Sequence, residues 1–180
     1  VKRLFDIGLS VLVILTIVFA NISNGEAFAV LTGCLAFHLV IWILSAIIVV
    51  GTMRNKANDK CIWFREMPWE KSFYRFIKTR RWKRHLPTYA PKYYDFKSMP
   101  HESLLGIISQ TEVVHELAAL LSLISLLGIR WFGNAPIIAT LAAIDFIINL
   151  VYVSLQRYNR MRLSELIRSK DTIEGSSTHP

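Results

Sequence analysis

Glu112 and His115 stand three residues apart at the start of one apolar run, and Gln156-Arg157-Tyr158-Asn159-Arg160 closes another. An imidazole with a carboxylate three residues earlier on a helix has both side chains on one face. The pairing suits general-base chemistry. His115 can remove a proton from a hydroxyl, and Glu112 can fix the imidazole tautomer and stabilise the imidazolium that forms. The pentad is of another kind: guanidinium groups make bidentate contacts with phosphate, and Tyr158 and Asn159 add directional hydrogen bonds. Arg162 extends the set. A phosphate-bearing ligand is the class such a set could hold; cations at a helix carboxyl end and inner membrane surface also serve orientation alone.

The elements that must position these groups are apolar blocks. The 180 residues are 53% hydrophobic, yet carry a net charge of +8. Leu4–Ala20, Phe28–Val50, Val113–Ile129 and Ala135–Leu155 each have about the length that crosses hydrocarbon. The predicted fold class is all-α, a polytopic membrane protein with four transmembrane helices. Lys2 and Arg3 before the first block resemble the start of a signal peptide. Its apolar run is long for one and no clear cleavage site follows, so a retained helix is expected.

Between Arg54 and Gln110 lie 13 of the 21 Lys and Arg residues, and Arg130 alone falls between the third and fourth blocks. The positive-inside rule then places both termini and the long loop in the cytoplasm of a bacterial cell membrane. One domain overall is expected: a hairpin over 1–51, a basic loop over 52–111, a second hairpin over 112–156 and a tail over 157–180. The tail from Asp171 to Pro180 is Ser- and Thr-rich without apolar period and is expected to be disordered. With the second hairpin turning near Phe132, His115 and Asn149 lie at one level, about 25 Å from the turn. Asn149 is therefore placed to hydrogen-bond His115 or a reacting carbonyl. Asp145, four residues away, is expected to join helices, and His38 to pack or hydrogen-bond inside the second helix. Glu116, next to His115 in sequence, points about 100° away from it and is expected to meet water or a loop cation.

In the loop, Trp69, Phe73, Phe76 and Ile77 alternate at helical spacing with Lys71, Arg75, Lys78, Arg80 and Arg81. A helix over Pro68–Arg84 lying in the membrane interface is predicted, its cations reaching anionic headgroups or a phosphate-bearing substrate. Tyr89, Tyr93, Tyr94 and Phe96 follow as an aromatic stretch suited to a loop on the bilayer. Cys34 and Cys61 make no plausible disulfide. Nucleic acid is a poor partner for a charge placed beside lipid.

Trp69-Glu70, Arg81-Trp82-Lys83, Glu112-x-x-His115, Asn149 and the pentad, taken together and in this order from about Asp59 to Arg168, resemble the glycosyl-4,4′-diaponeurosporenoate acyltransferase family of small bacterial membrane proteins. The chain departs from the pattern at Glu116 and Met161. The resemblance implies O-acylation of a glycosylated carotenoid or other glycolipid acceptor, with acyl-coenzyme A or acyl-carrier protein as thioester donor and no bound cofactor. It implies His115 and Glu112 as catalytic residues, with Arg81, Trp82, Lys83, Asn149, Gln156, Arg157, Tyr158, Asn159, Arg160 and Arg162 binding substrate or donor. No Ser or Cys lies inside the Glu-x-x-His motif, so direct transfer is favoured, while Ser109 keeps an acyl-enzyme open. Two other classes remain: a metal-dependent membrane oxidase, because Glu-x-x-His recurs in di-iron helices, and a non-enzymatic adaptor that uses the basic loop.

Overall fold

The computed structural model describes residues 25–53, 62–83 and 99–177, with side chains to Lys170. The predicted first span and the aromatic stretch from Tyr89 to Phe96 lie outside the described residues. Within them the chain is helical: α1 (Gly25–Met53), a 3₁₀ turn (Ile62–Phe64), α2 (Glu70–Phe76), α3 (Thr79–Trp82), α4 (His101–Ser122), a 3₁₀ stretch (Leu123–Gly128), α5 (Ile129–Phe132) and α6 (Ala135–Ser177). Three stretches are long and apolar enough to cross a membrane: Gly25–Met53, His101–Phe132 and Ala135–Lys170.

Their burial is inverted relative to a protein in water. Along α1, Leu39, Val40, Ile43, Leu44, Ile47 and Ile48 face outward, whereas Cys34, His38, Ile41, Ser45 and Val49 face the other helices. That inner stripe recurs at helical spacing. Lipid tails are as apolar as leucine, so outward leucines cost nothing there, and polar groups are held between helices.

The hairpin of α4 and α6 turns at Gly133 and Asn134, both at positive φ (64° and 50°). Glycine tolerates that region freely, and asparagine better than most residues. Ser122 and Ser125 each donate their hydroxyl to a carbonyl three residues back, at 2.7 Å. Such back-bonding disturbs a helix, and the 3₁₀ stretch begins between these two serines.

Three boundaries differ from the sequence expectation. α4 begins at His101, inside what the apolar-block reading made a loop, because Leu104 and Ile108 bury fully against Leu163 with Met99, Leu105 and Ile167 around them. Only tertiary contact with the far end of α6 gives that turn of helix its partner. The tail is helical to Ser177 where disorder was expected. Extending an existing helix fixes one residue per hydrogen bond, without the nucleation cost an isolated segment would bear. The interfacial helix is broken in two: Lys78 adopts a left-handed conformation, φ 53°, and Trp82 Nε1 donates to the Ile77 carbonyl across the break at 3.0 Å. Its outer side keeps the expected aromatics, Trp69, Phe73 and Phe76 exposed, while Glu70, Tyr74 and Thr79 turn inward.

Candidate active site

Two polar clusters occupy neighbouring turns of the α4–α6 pair. The first is a chain of hydrogen bonds through the bundle interior. His115 Nδ1 lies 2.9 Å from Asn149 Oδ1. The amide of Asn149 can be oriented one way only, because its Nδ2 donates to the Asp145 carbonyl at 2.9 Å and to Asp145 Oδ1 at 3.3 Å. Oδ1 must therefore accept, so the proton of neutral His115 sits on Nδ1 and the lone pair on Nε2. Tyr152 stacks on the imidazole, with ring centroids 4.8 Å apart and planes 11° from parallel. The ring is thus fixed in rotation by Asn149 and in plane by Tyr152. Hairpin counting placed His115 and Asn149 together, and they meet.

The second cluster is ionic. Glu112 is fully buried. Arg160 grips it with Nε 2.8 Å from Oε2 and Nη2 3.3 Å from Oε1, and Arg157 Nη1 lies 3.7 Å from Oε1. Arg157 Nε donates to Glu70 Oε1 at 2.7 Å. Arg160 Nη1 donates to the Phe64 carbonyl. Two carboxylates and two guanidinium groups so tie the segment around Phe64–Glu70 to the middle of α4 and of α6. A buried carboxylate gains far more from an opposite charge than from a neutral ring. Glu112 accordingly turns to α6, and the expected Glu112–His115 contact is replaced by Asn149–His115. Arg157 and Arg160, both expected to bind the donor, have their charge matched here by Glu70 and Glu112.

A model of the glycosyl-4,4′-diaponeurosporenoate acyltransferase family matches residues 60–169. The chain belongs to that family. No curated protein and no solved structure matches it. The family match covers both clusters and leaves α1 outside. Neither the oxidase nor the adaptor alternative gains support from it, and among the described residues no three His, Cys, Asp or Glu side chains gather as metal ligands.

Three more residues that carried the family resemblance, Lys83, Tyr158 and Asn159, form a third, half-buried group. Lys83 Nζ donates to Asn159 Oδ1 at 3.1 Å and lies 5.0 Å above the ring of Tyr158, which meets Tyr74 edge-on at 5.5 Å. Burial, then the neighbouring Arg162 and Arg80 cations, hold the Lys83 ammonium below the usual lysine range. Arg80, Arg81 and Arg162 are exposed. The acids nearby are taken: Glu165 pairs with Lys71 at 2.6 Å, and Glu70 with Arg157. Among the described residues no carboxylate pairs with Arg80, Arg81, Lys83 or Arg162. Trp82 is spent on the backbone of its own loop, as described above. Gln156 is buried, with Oε1 unpartnered.

Sequence reasoning missed three contacts. Trp63 donates its indole N–H to Glu116 Oε2 at 2.7 Å, where water or a loop cation was expected. The Phe64 carbonyl as an arginine acceptor left no trace in side-chain chemistry. The Asp145–His38 contact, 3.1 Å between Oδ2 and Nδ1, fits the helix-joining role expected of Asp145 and the hydrogen bond expected of His38, though nothing in the sequence paired the two. Two polar residues facing inward from different apolar helices were the available signal.

Proposed function

We propose that this chain transfers a fatty acyl group from a thioester to a hydroxyl of a lipid-linked sugar, with His115 as general base. The family is one of acyltransferases, and the observation that carries the mechanism is the Asn149–His115 hydrogen bond, which leaves the Nε2 lone pair as the basic atom. The acceptor hydroxyl attacks the thioester carbonyl while Nε2 takes its proton. The tetrahedral adduct then collapses, the carbon–sulfur bond breaks, and the imidazolium returns the proton to the departing thiolate. The products are an ester and a free thiol. Asn149 accepts from Nδ1 throughout, so the ring need not turn between the two proton transfers. No side-chain nucleophile is required.

The acceptor is a glycosylated carotenoid or related glycolipid, in keeping with the family's name. The donor is acyl-coenzyme A or an acyl-carrier protein. Lys83, Arg80, Arg81 and Arg162 receive its phosphate, supported by Asn159 and Tyr158, because among the described residues no carboxylate pairs with them and Arg80 and Arg162 lie close to Lys83.

Four spans, the first over Leu4–Ala20, with both termini cytoplasmic, follow from the distribution of basic residues. That topology puts the α4 start and the basic loop on the side where a soluble donor arrives. Cysteine labelling is expected to find residue 132 outside and residue 80 inside, and the reverse would invert the sidedness.

The function is tested by comparing lipid extracts of the source bacterium with and without the gene. One glycolipid is expected to lose the mass of an acyl chain and to regain it with the wild-type protein but not with His115→Ala. An unchanged lipid profile would sink the assignment.

A further inference from the structure

His38 lies on α1, outside the residues that match the family, and 107 residues from Asp145. Yet its imidazole ends the same chain of hydrogen bonds that begins at His115. Each oxygen of the Asp145 carboxylate receives one donor: Oδ1 takes Asn149 Nδ2 at 3.3 Å, and Oδ2 lies 3.1 Å from His38 Nδ1. Since a carboxylate only accepts, the proton of this contact is on His38 Nδ1. The donors therefore run from both ends toward Asp145, from His38 directly and from His115 through the amide of Asn149.

We infer that His38 is a positioning residue for acyl transfer, holding the Asp145 carboxylate so that Asn149, and through it His115, keeps the orientation the base requires. The inference rests on the reading of His115 as general base.

Three physical points support it. His38 is buried, with its ring edge-on to Phe37 at 5.8 Å, so its rotamer is set by packing. A carboxylate between membrane helices is expensive unless donors surround it, and among the described residues His38 and Asn149 supply them. When His115 gains a proton during turnover, the positive charge faces an amide dipole backed by Asp145. A carboxylate that swung away would remove that support at the step where it counts. α1 thus carries one end of the array, and His38 is the point where it joins the reaction machinery.

Acyl transfer from palmitoyl-coenzyme A to a glucosylated lipid in reconstituted vesicles tests this, with folded protein quantified in each sample. His38→Phe keeps a ring but removes the donor. It is expected to lower kcat about 10-fold, the scale of one coupled hydrogen bond, with KM for donor and acceptor unchanged. His38→Asn places an amide N–H near the Nδ1 position and is expected to restore most of the rate. Asp145→Asn is expected to lower kcat at least as much, and the double variant His38→Phe/Asp145→Asn no further. An unchanged kcat in His38→Phe beside an inactive His115→Ala would overturn the inference and leave the base assignment standing. A loss that His38→Asn fails to restore, or one seen as failed insertion alone, would also overturn it, because helix packing would then be the whole role. Should His38→Phe not fold, Asp145→Asn decides: full kcat there removes the array from the mechanism. An active His115→Ala protein would instead bring down the base assignment itself.

Discussion

The two polar clusters on α4 and α6 are built from similar materials and are suited to opposite tasks. Around Glu112 every charge meets its opposite: Arg160 and Arg157 on the carboxylate, Glu70 on Arg157. Around His115 the partners are an amide, a stacked phenol ring and a carboxylate one residue removed. A saturated ion cluster has no reason to bind anything more. A neutral imidazole held by one nitrogen still has a base to offer. The Glu-x-x-His motif thus divides between the clusters: its acid belongs to a clamp between loop and bundle, and its histidine to the array on which the proposed chemistry rests.

Substitutions in the clamp are expected to have the largest effect on stability. Arg160→Leu or Glu112→Ala leaves an unmatched buried charge, and such losses cost about 3–5 kcal/mol of stability. Thermal unfolding in detergent is expected to show it, and the double change Glu112→Leu/Arg160→Leu is expected to recover a large part. If Arg160→Leu instead melts like the wild type and loses donor saturation, the cluster is a donor site after all.

Lys83 is the contrasting cation, with an amide, a ring and two like charges beside it in place of a carboxylate. Lys83→Met is expected to raise the apparent donor KM roughly 10- to 100-fold, the loss of one charge-assisted contact of about 1.5–3 kcal/mol, with little change in melting. A pH profile sharpens the point. Because burial and neighbouring cations lower the Lys83 pKa, its charge is lost on raising pH sooner than that of an ordinary lysine, near 10.4. Donor affinity is expected to fall over that alkaline window, and Lys83→Arg is expected to move the fall higher. An alkaline limb untouched by either variant would exclude Lys83 as its origin.

The smallest effect is expected at Lys71 and Glu165, an ion pair exposed to solvent on both sides. Lys71→Ala is expected to change stability by no more than about 1 kcal/mol and to leave transfer intact. A large loss of activity would show that the outer face does more than carry charge.

What was legible in the sequence was whatever depends on near neighbours or on simple counting. Apolar length marked the three described spans, and counting from the turn brought Asn149 to His115. What escaped was decided at long range. Glu70 meets Arg157 from a separate loop, and no local pattern says which of two acids or several cations will pair. The start of α4 depends on Leu163, far along the chain. The break at Lys78 is a backbone event in a segment whose side-chain spacing reads as one helix. Glu112 shows the limit best. Its spacing from His115 was read correctly as one face of one helix, but the spacing does not say where the carboxylate turns.

The most direct test measures acyl transfer and thermal unfolding on the same reconstituted samples of wild type, His115→Ala and Glu112→Gln. His115→Ala is expected to lose roughly 10²- to 10⁴-fold in turnover while melting near the wild type. Glu112→Gln is expected to melt lower, while its surviving folded fraction keeps most of its turnover. A folded His115→Ala protein with near-full acyl transfer would contradict the account.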